Sequence, residues 1–172
     1  MSRIIFVIVL LAMFSSFVQS QPKDLNVGDI APEIRLPNPQ GDTISLSSYR
    51  GKLVLIDFWA TWCAPCVKDQ VKLKELYEKF KDRTFTIGNG FEIFGVSLDS
   101  KLKPWVNAIK KNKITWTQVS DLKFWMSPVA KIYNIQELPS NVLIDSEGKI
   151  IALNIFGDDL FKFLEGLVKI TQ

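Results

Sequence analysis

Apolar and polar positions along the chain follow two different spacings, and the switch between them marks the most informative stretch. Residues 53–59 are almost wholly apolar and β-prone, which predicts a strand buried on both faces. From Cys63 the spacing becomes helical. Val67 and Val71 lie four apart, as do Leu73 and Tyr77, and Leu76 and Phe80, with lysines and acids on the other face up to Arg83. Pro65 falls in the first turn of that helix, where a missing N–H costs nothing. A second buried strand is predicted over 92–98, and residues 84–90, with Gly88 and Gly90, as a loop or short insertion.

The flanks complete the pattern. Upstream, 34–36 and 43–46 straddle a turn rich in Pro, Asn and Gly, which predicts a β-hairpin; 21–29 is polar and 47–52 a connector. Downstream, 104–112 is predicted as a helix, with Trp105 and Ile109 four apart, and 115–119 as a short strand. Residues 123–133 read as a helix open to a break at Pro128. Residues 141–144 and 149–154 form an antiparallel pair about the turn Asp145-Ser146-Glu147-Gly148. Asp158 is placed as the cap of a last helix with Leu160, Phe161, Leu164, Leu167 and Val168 on its apolar face. The expected fold class is α/β: one domain over 21–172, with a mixed central sheet, helices on both faces and an extra N-terminal hairpin.

The first twenty residues break from this pattern. Arg3 precedes an uninterrupted apolar run over 4–14, and Val18 and Ser20 suit the minus-three and minus-one positions of a cut before Gln21. Residues 1–20 are therefore expected to be a signal peptide cleaved near Ser20, with the mature protein exported to the periplasm. An uncleaved membrane anchor is the competing reading, weakened because the run is short for a span of about 20 residues.

Composition then removes whole classes of chemistry. The 172 residues include two cysteines and no histidine. Histidine-based acid–base catalysis, histidine metal sites and Ser–His or Cys–His nucleophiles are excluded. The formal charge is +3 and no basic block stands out, so charge gives no argument for nucleic acid. No cofactor and no metal are expected.

Both cysteines sit in Cys63-Ala64-Pro65-Cys66, at the strand-to-helix switch. Free N–H groups and the positive end of the helix dipole stabilise a thiolate on the first cysteine there. That thiolate attacks a substrate disulfide, and the second cysteine, one turn further in, resolves the mixed disulfide. Cys63 is the expected nucleophile and Cys66 the resolving thiol, joined as a redox-active disulfide in the oxidised protein. Zinc would need four ligands. A purely structural bridge would close a four-residue loop and gain little chain entropy. Two inert buried thiols are a further alternative, for which Trp62 and Pro65 are odd flanks. Asp57 interrupts the apolar run, where a lone carboxylate is costly to bury. A desolvated Asp57 would have a raised pKa and exchange protons with a nearby thiol; an Asp leaning to solvent at a sheet edge is the other reading. Trp62 and Trp59 are candidates for an apolar apron around the site, Trp59 equally for core. Trp105, Trp116 and Trp125 are expected in the core or filling subsites.

Residues 53–66, LVLIDFWATWCAPC, resemble the active-site strand and turn of the thioredoxin superfamily. Residues 27–52 are similar to the N-terminal hairpin of its exported TlpA/ResA-like branch, shared with the wider redoxin group, and 133–151 to the segment bearing that branch's cis-proline. The resemblance implies a thioredoxin-like fold with the added hairpin. It implies that Pro139 is the cis-proline packed against the active disulfide, and that Leu138 offers backbone to the substrate. With Trp62, Ala64 and Pro65 these make the candidate substrate-binding set. Asp57 matches the buried acid of thioredoxin, but the place of the lysine near that acid falls on Gly95. The places where peroxiredoxins carry a proline and a Thr or Ser ahead of their cysteine hold Ile56 and Ala60 here, which disfavours peroxidase chemistry.

The expected function is an exported thiol–disulfide oxidoreductase. Ala64-Pro65 lacks the histidine of strongly oxidising exported relatives, so the expected direction is reduction of disulfides in exported proteins, apocytochrome c among them. A thiol electron donor embedded in the membrane is implied, and a monomer. The alternatives are a thiol peroxidase of the redoxin group and a peptide-binding holdase or assembly factor.

Overall fold

The computed structural model describes residues 24–169. The expected signal peptide and its cleavage position lie outside them. Strands β1 (Arg35–Pro37) and β2 (Thr43–Ser45) pair antiparallel as the N-terminal hairpin, followed by a 3-10 turn, Leu46–Tyr49. Strand β3 (Leu53–Trp59) is buried at every position. It leads into helix α1 (Ala64–Phe80). The segment expected as a loop or short insertion forms a small antiparallel pair, β4 (Thr84–Phe85) and β5 (Gly88–Asn89). Strand β6 (Phe91–Ser97), helix α2 (Leu102–Asn112) and strand β7 (Thr117–Val119) follow.

Residues 123–133 are not one helix. A 3-10 turn, Phe124–Met126, ends at Ser127, and helix α3 (Pro128–Ile132) begins afresh with Pro128 at its first position. The proline lacks the N–H that a continuous helix would need there, and its ring excludes the preceding residue from helical backbone. Strands β8 (Ser140–Ile144) and β9 (Ile150–Leu153) pair antiparallel. Helix α4 (Gly157–Leu167) closes the fold. Asp158 does not cap it: Phe156 holds that position, and Asp158 and Asp159 sit in the first turn, where they complement the helix dipole.

The main sheet has five strands in the order β7-β6-β3-β8-β9. β3 runs parallel to β6 and antiparallel to β8, so the sheet is mixed, with β3 at its centre. Successive residues of β3 point to opposite faces, and each face carries its own apolar cluster. Val54, Ile56 and Phe58 pack with the hairpin (Ile34, Leu36) and with α3 (Val129, Ala130). Leu53, Leu55 and Trp59 pack with α1 (Leu73, Leu76, Phe80), with Trp105 of α2 and with Leu160 and Leu164 of α4. Burial of each such side chain contributes about 1.5–3 kcal/mol. On α1 the buried stripe runs Cys66, Gln70, Leu73, Leu76 and Phe80, while Val71 is 60% exposed, so the true core face is rotated from the Val67–Val71 pair. Among the described residues no helix is long and apolar enough to cross a membrane.

Candidate active site

Cys63 and Cys66 are joined by a disulfide, with Cα atoms 5.3 Å apart. Cys63 is the N-cap of α1: its backbone is extended, and its Sγ accepts a hydrogen bond of 3.2 Å from the Cys66 backbone N–H. The first turn of α1 carries no acidic side chain to offset the positive end of the helix dipole. Cys63 is 6% exposed and Cys66 1%. Trp62, Ala64 and Pro65 around them are exposed. A molecule approaching the pair meets Trp62, Ala64 and Pro65 at the rim, and Cys63 before Cys66.

The turn that carries Cys63 is pinned from below. Asp99 is 2% exposed at the end of β6, and its carboxylate accepts the Thr61 backbone N–H at 3.1 Å and the Ser97 hydroxyl at 2.7 Å. The Thr61 hydroxyl donates to it as well. The Leu98 backbone N–H donates to the Trp59 carbonyl at 2.9 Å, which ties the two strand ends together.

Asp57 is 2% exposed, so it does not lean to solvent. It shares the face of β3 with Leu55 and Trp59, the face that packs beneath α1 and the cysteines. Burial raises its carboxyl from 3.8 to about 7, with the charge of Asp69 adding to the rise and a hydrogen bond from Gln70 opposing it. That bond runs from Gln70 Nε2 to Asp57 Oδ2 at 3.1 Å. Across the sheet, Asp57 is in register with Gly95. A Cβ at Gly95 would come within 2.1 Å of the Gln118 side-chain nitrogen, so the glycine leaves room for Gln118 to lie over β6. Gln118 Oε1 accepts the indole N–H of Trp59 at 2.8 Å. The space above Gly95 thus holds a neutral amide.

The Leu138–Pro139 peptide bond is cis. Phe58 pairs with Ser140, so Pro139 lies beside the C-terminal end of β3, the end that leads to Cys63. Leu138 is half-buried and packs against both apolar clusters, including the one that holds the cysteines. The expected site residues therefore gather at one end of the central strand, with Asp57 one step inside it.

Three side chains of this region, Gln70, Asp99 and Gln118, are not singled out by the sequence pattern. Gln70 was legible in principle, since it continues the helical spacing of Cys66 and Leu73. Asp99 and Gln118 act through partners far away in the chain and leave no local signal. Among the tryptophans, Trp59, Trp105 and Trp116 are core, whereas Trp125 is 36% exposed and packs against Trp62, with ring centroids 5.9 Å apart.

Residues 27–153 match the AhpC/TSA family. The chain belongs to this family. Among relatives by sequence, a thiol-disulfide oxidoreductase ResA from Bacillus cereus (strain ATCC 10987 / NRS 248) is 29% identical, over 98% of this chain and 96% of that protein. ResA from Geobacillus kaustophilus is 31% identical over 82% of this chain and 78% of its own length. Among solved structures, the thioredoxin domain of a thiol-disulfide oxidoreductase from Bacteroides vulgatus superposes with a TM-score of 0.76 at 38% identity, covering 85% of this chain and 100% of that one. A structure described as a putative thiol:disulfide interchange protein DsbE from Chlorobium tepidum gives a TM-score of 0.71 at 28% identity, over 83% of this chain and 95% of that one. This AhpC/TSA member is a ResA-like thiol–disulfide oxidoreductase with a thioredoxin-like fold, and its cysteine pair has the spacing of a redox-active dithiol. In general such a family implies disulfide-containing protein substrates and a redox partner.

Proposed function

We propose that the protein reduces disulfides of exported proteins, with Cys63 as nucleophile and Cys66 as resolving thiol. The observation that carries this is the placement of Cys63 at the N-cap of α1, more open than Cys66 and accepting the Cys66 N–H. In the reduced protein the Cys63 thiolate attacks one sulfur of a substrate disulfide, and the other sulfur leaves as a thiolate that takes up a proton. Cys66 gives its proton to the Asp57 carboxylate and attacks Cys63. The Cys63–Cys66 bond forms, the mixed disulfide breaks, and the second substrate sulfur departs as a thiolate that takes up a proton. Two electrons have passed to the substrate. A carboxyl held near 7 suits that transfer, since it changes protonation state close to neutral pH.

Trp62, Ala64 and Pro65 form the rim against which the substrate rests, and Leu138 and Pro139 flank its path along the end of β3. Residues 1–20 direct export and are removed near Ser20, leaving a thioredoxin-like domain over 21–172 that acts as a monomer. A membrane-embedded thiol donor restores the dithiol, and oxidised apocytochrome c is among the substrates. The test is the redox potential of the Cys63–Cys66 pair against glutathione, read beside insulin reduction. We expect a potential well below that of strong oxidants, with insulin reduction lost in Cys63→Ser and mixed disulfides trapped by Cys66→Ser. A potential near about −120 mV would overturn the reducing direction.

A further inference from the structure

Beside the disulfide the protein holds four large apolar side chains out in solvent. Trp62 is 47% exposed, Phe124 41%, Trp125 36% and Met126 81%. The three rings form one patch, and Met126 follows Trp125 in the chain. The Trp62 ring lies 5.1 Å from that of Phe124 and 5.9 Å from that of Trp125, and Phe124 and Trp125 are 6.1 Å apart. Trp62 is the residue before Cys63, so the patch begins where a substrate polypeptide must lie for its sulfur to reach the pair.

The patch is built, not incidental. Leu122 and Phe124 both adopt left-handed backbone, with φ of 56° at each. That conformation is unfavourable for residues with bulky side chains, and persists where the surroundings enforce it. Here they do. The Leu122 side chain packs into the cluster that contains Cys63 and Cys66. Its backbone N–H donates to the Ser120 hydroxyl at 3.1 Å, and that hydroxyl donates to the Ser97 carbonyl at 2.8 Å. The Ser97 hydroxyl in turn bonds Asp99, the carboxylate that holds Thr61. One chain of hydrogen bonds therefore ties the turn bearing Trp62 and the turn bearing Phe124 to the same strand end. Exposed apolar surface of this kind marks an interaction site when it is contiguous.

We propose that Trp62, Phe124, Trp125 and Met126 form a docking surface for a large apolar side chain that the substrate polypeptide carries beside its reacting cysteine. The proposal rests on the function proposed above and adds the substrate class: apolar-flanked disulfides are preferred over polar-flanked ones. The occupant follows from continuity, because the polypeptide that reacts with Cys63 already covers Trp62, and its neighbouring residues fall on the rings clustered there.

The test compares two disulfide-linked peptide dimers that differ only in a Trp or a Ser placed two residues from the cysteine. The reduced protein is mixed with each and the rate of thiol–disulfide exchange is followed. We expect the Trp peptide to react at least about tenfold faster, the size of effect a well-packed aromatic anchor gives. In the Phe124→Ser/Trp125→Ser double variant that ratio should fall to within about threefold of one, and Met126→Ser, at a largely exposed position, should lower it part-way. A further measurement needs no change in the patch. In the mixed disulfide of Cys66→Ser with the Trp peptide, the indole N–H resonances of Trp62 and Trp125 should shift, while those of buried Trp105 and Trp116 stay in place. Equal rates for the two peptides, a ratio unmoved by the substitutions, or a silent Trp125 resonance would each overturn the proposal and leave the thiol–disulfide reading intact. A dimer of the protein that covers Trp125, with the ratio unmoved, overturns it as well. Failure to react with either peptide overturns both.

Discussion

Val54, Ile56 and Phe58 point to one side of β3, and Leu55, Asp57 and Trp59 to the other. The first set meets the hairpin and α3 in a cluster made almost entirely of aliphatic and aromatic groups. The second meets α1, α2 and α4, and there the packing is interrupted by a carboxyl, the amides of Gln70, Gln118 and Asn141, and a disulfide. The residues are neighbours in sequence, share one backbone and are equally buried. What separates them is the element that covers each face: α1 brings the cysteines to the end of its side, so a carboxyl that exchanges protons, and the amides that hold its neighbours, are useful there and only costly on the other. One layer supplies stability, and the other gives up stability for chemistry.

The largest effect should come from damaging the apolar layer. Phe58 is fully buried and packs its ring 5.2 Å from that of Tyr133. Phe58→Ala should cost about 3–5 kcal/mol in urea unfolding, through lost burial and the cavity left behind. The redox potential of the cysteine pair should stay where it was. A shifted potential would mean that the two layers are coupled through the sheet.

The next effect has the opposite sign. Folded Asp57 keeps its proton up to about pH 7, while in the unfolded chain it loses it near 3.8. Between those values the folded state binds more protons, so the unfolding free energy of the protein falls as pH rises through this window and stays low above it. The whole shift corresponds to about 4 kcal/mol. Asp57→Asn removes that slope. Measured on the oxidised protein, where the cysteines do not titrate, the variant should be more stable than its parent at pH 8 by up to about 4 kcal/mol, with the gap closing toward pH 4. Parallel stability curves for the two proteins would show that this carboxyl is not buried in its charged form.

The smallest effect concerns a neutral group in the polar layer. Gln118→Leu leaves the buried Trp59 indole N–H without its acceptor and should cost about 1–3 kcal/mol. Hydrogen exchange at that indole should quicken in step. An unchanged melting curve would mean that the amide fills space over Gly95 without contributing a bond of consequence.

These three sites also divide by how they reveal themselves. Phe58 belongs to an apolar run whose burial on both faces is written in its composition. Asp57 announces itself by breaking that run, and Cys63 and Cys66 by their spacing at a strand-to-helix switch. Gln118 gives no such sign, because its partner Trp59 lies in another strand and the vacancy it fills exists only once Gly95 is placed beside it.

The sequence by itself determined what depends on short-range spacing: the central strand, the redox helix, the hairpins at either end and the cysteine pair between them. Periodicity works for these because side-chain direction repeats every two residues in a strand and every three or four in a helix. Only the tertiary structure decided which tryptophans are solvated, that Asp99 holds the reactive turn, and that Gln118 receives the Trp59 indole. Each of those outcomes is set by a partner distant in the chain or by the packing of a whole face. Burial and pairing are properties of the assembled layers, and no local pattern in the chain carries them.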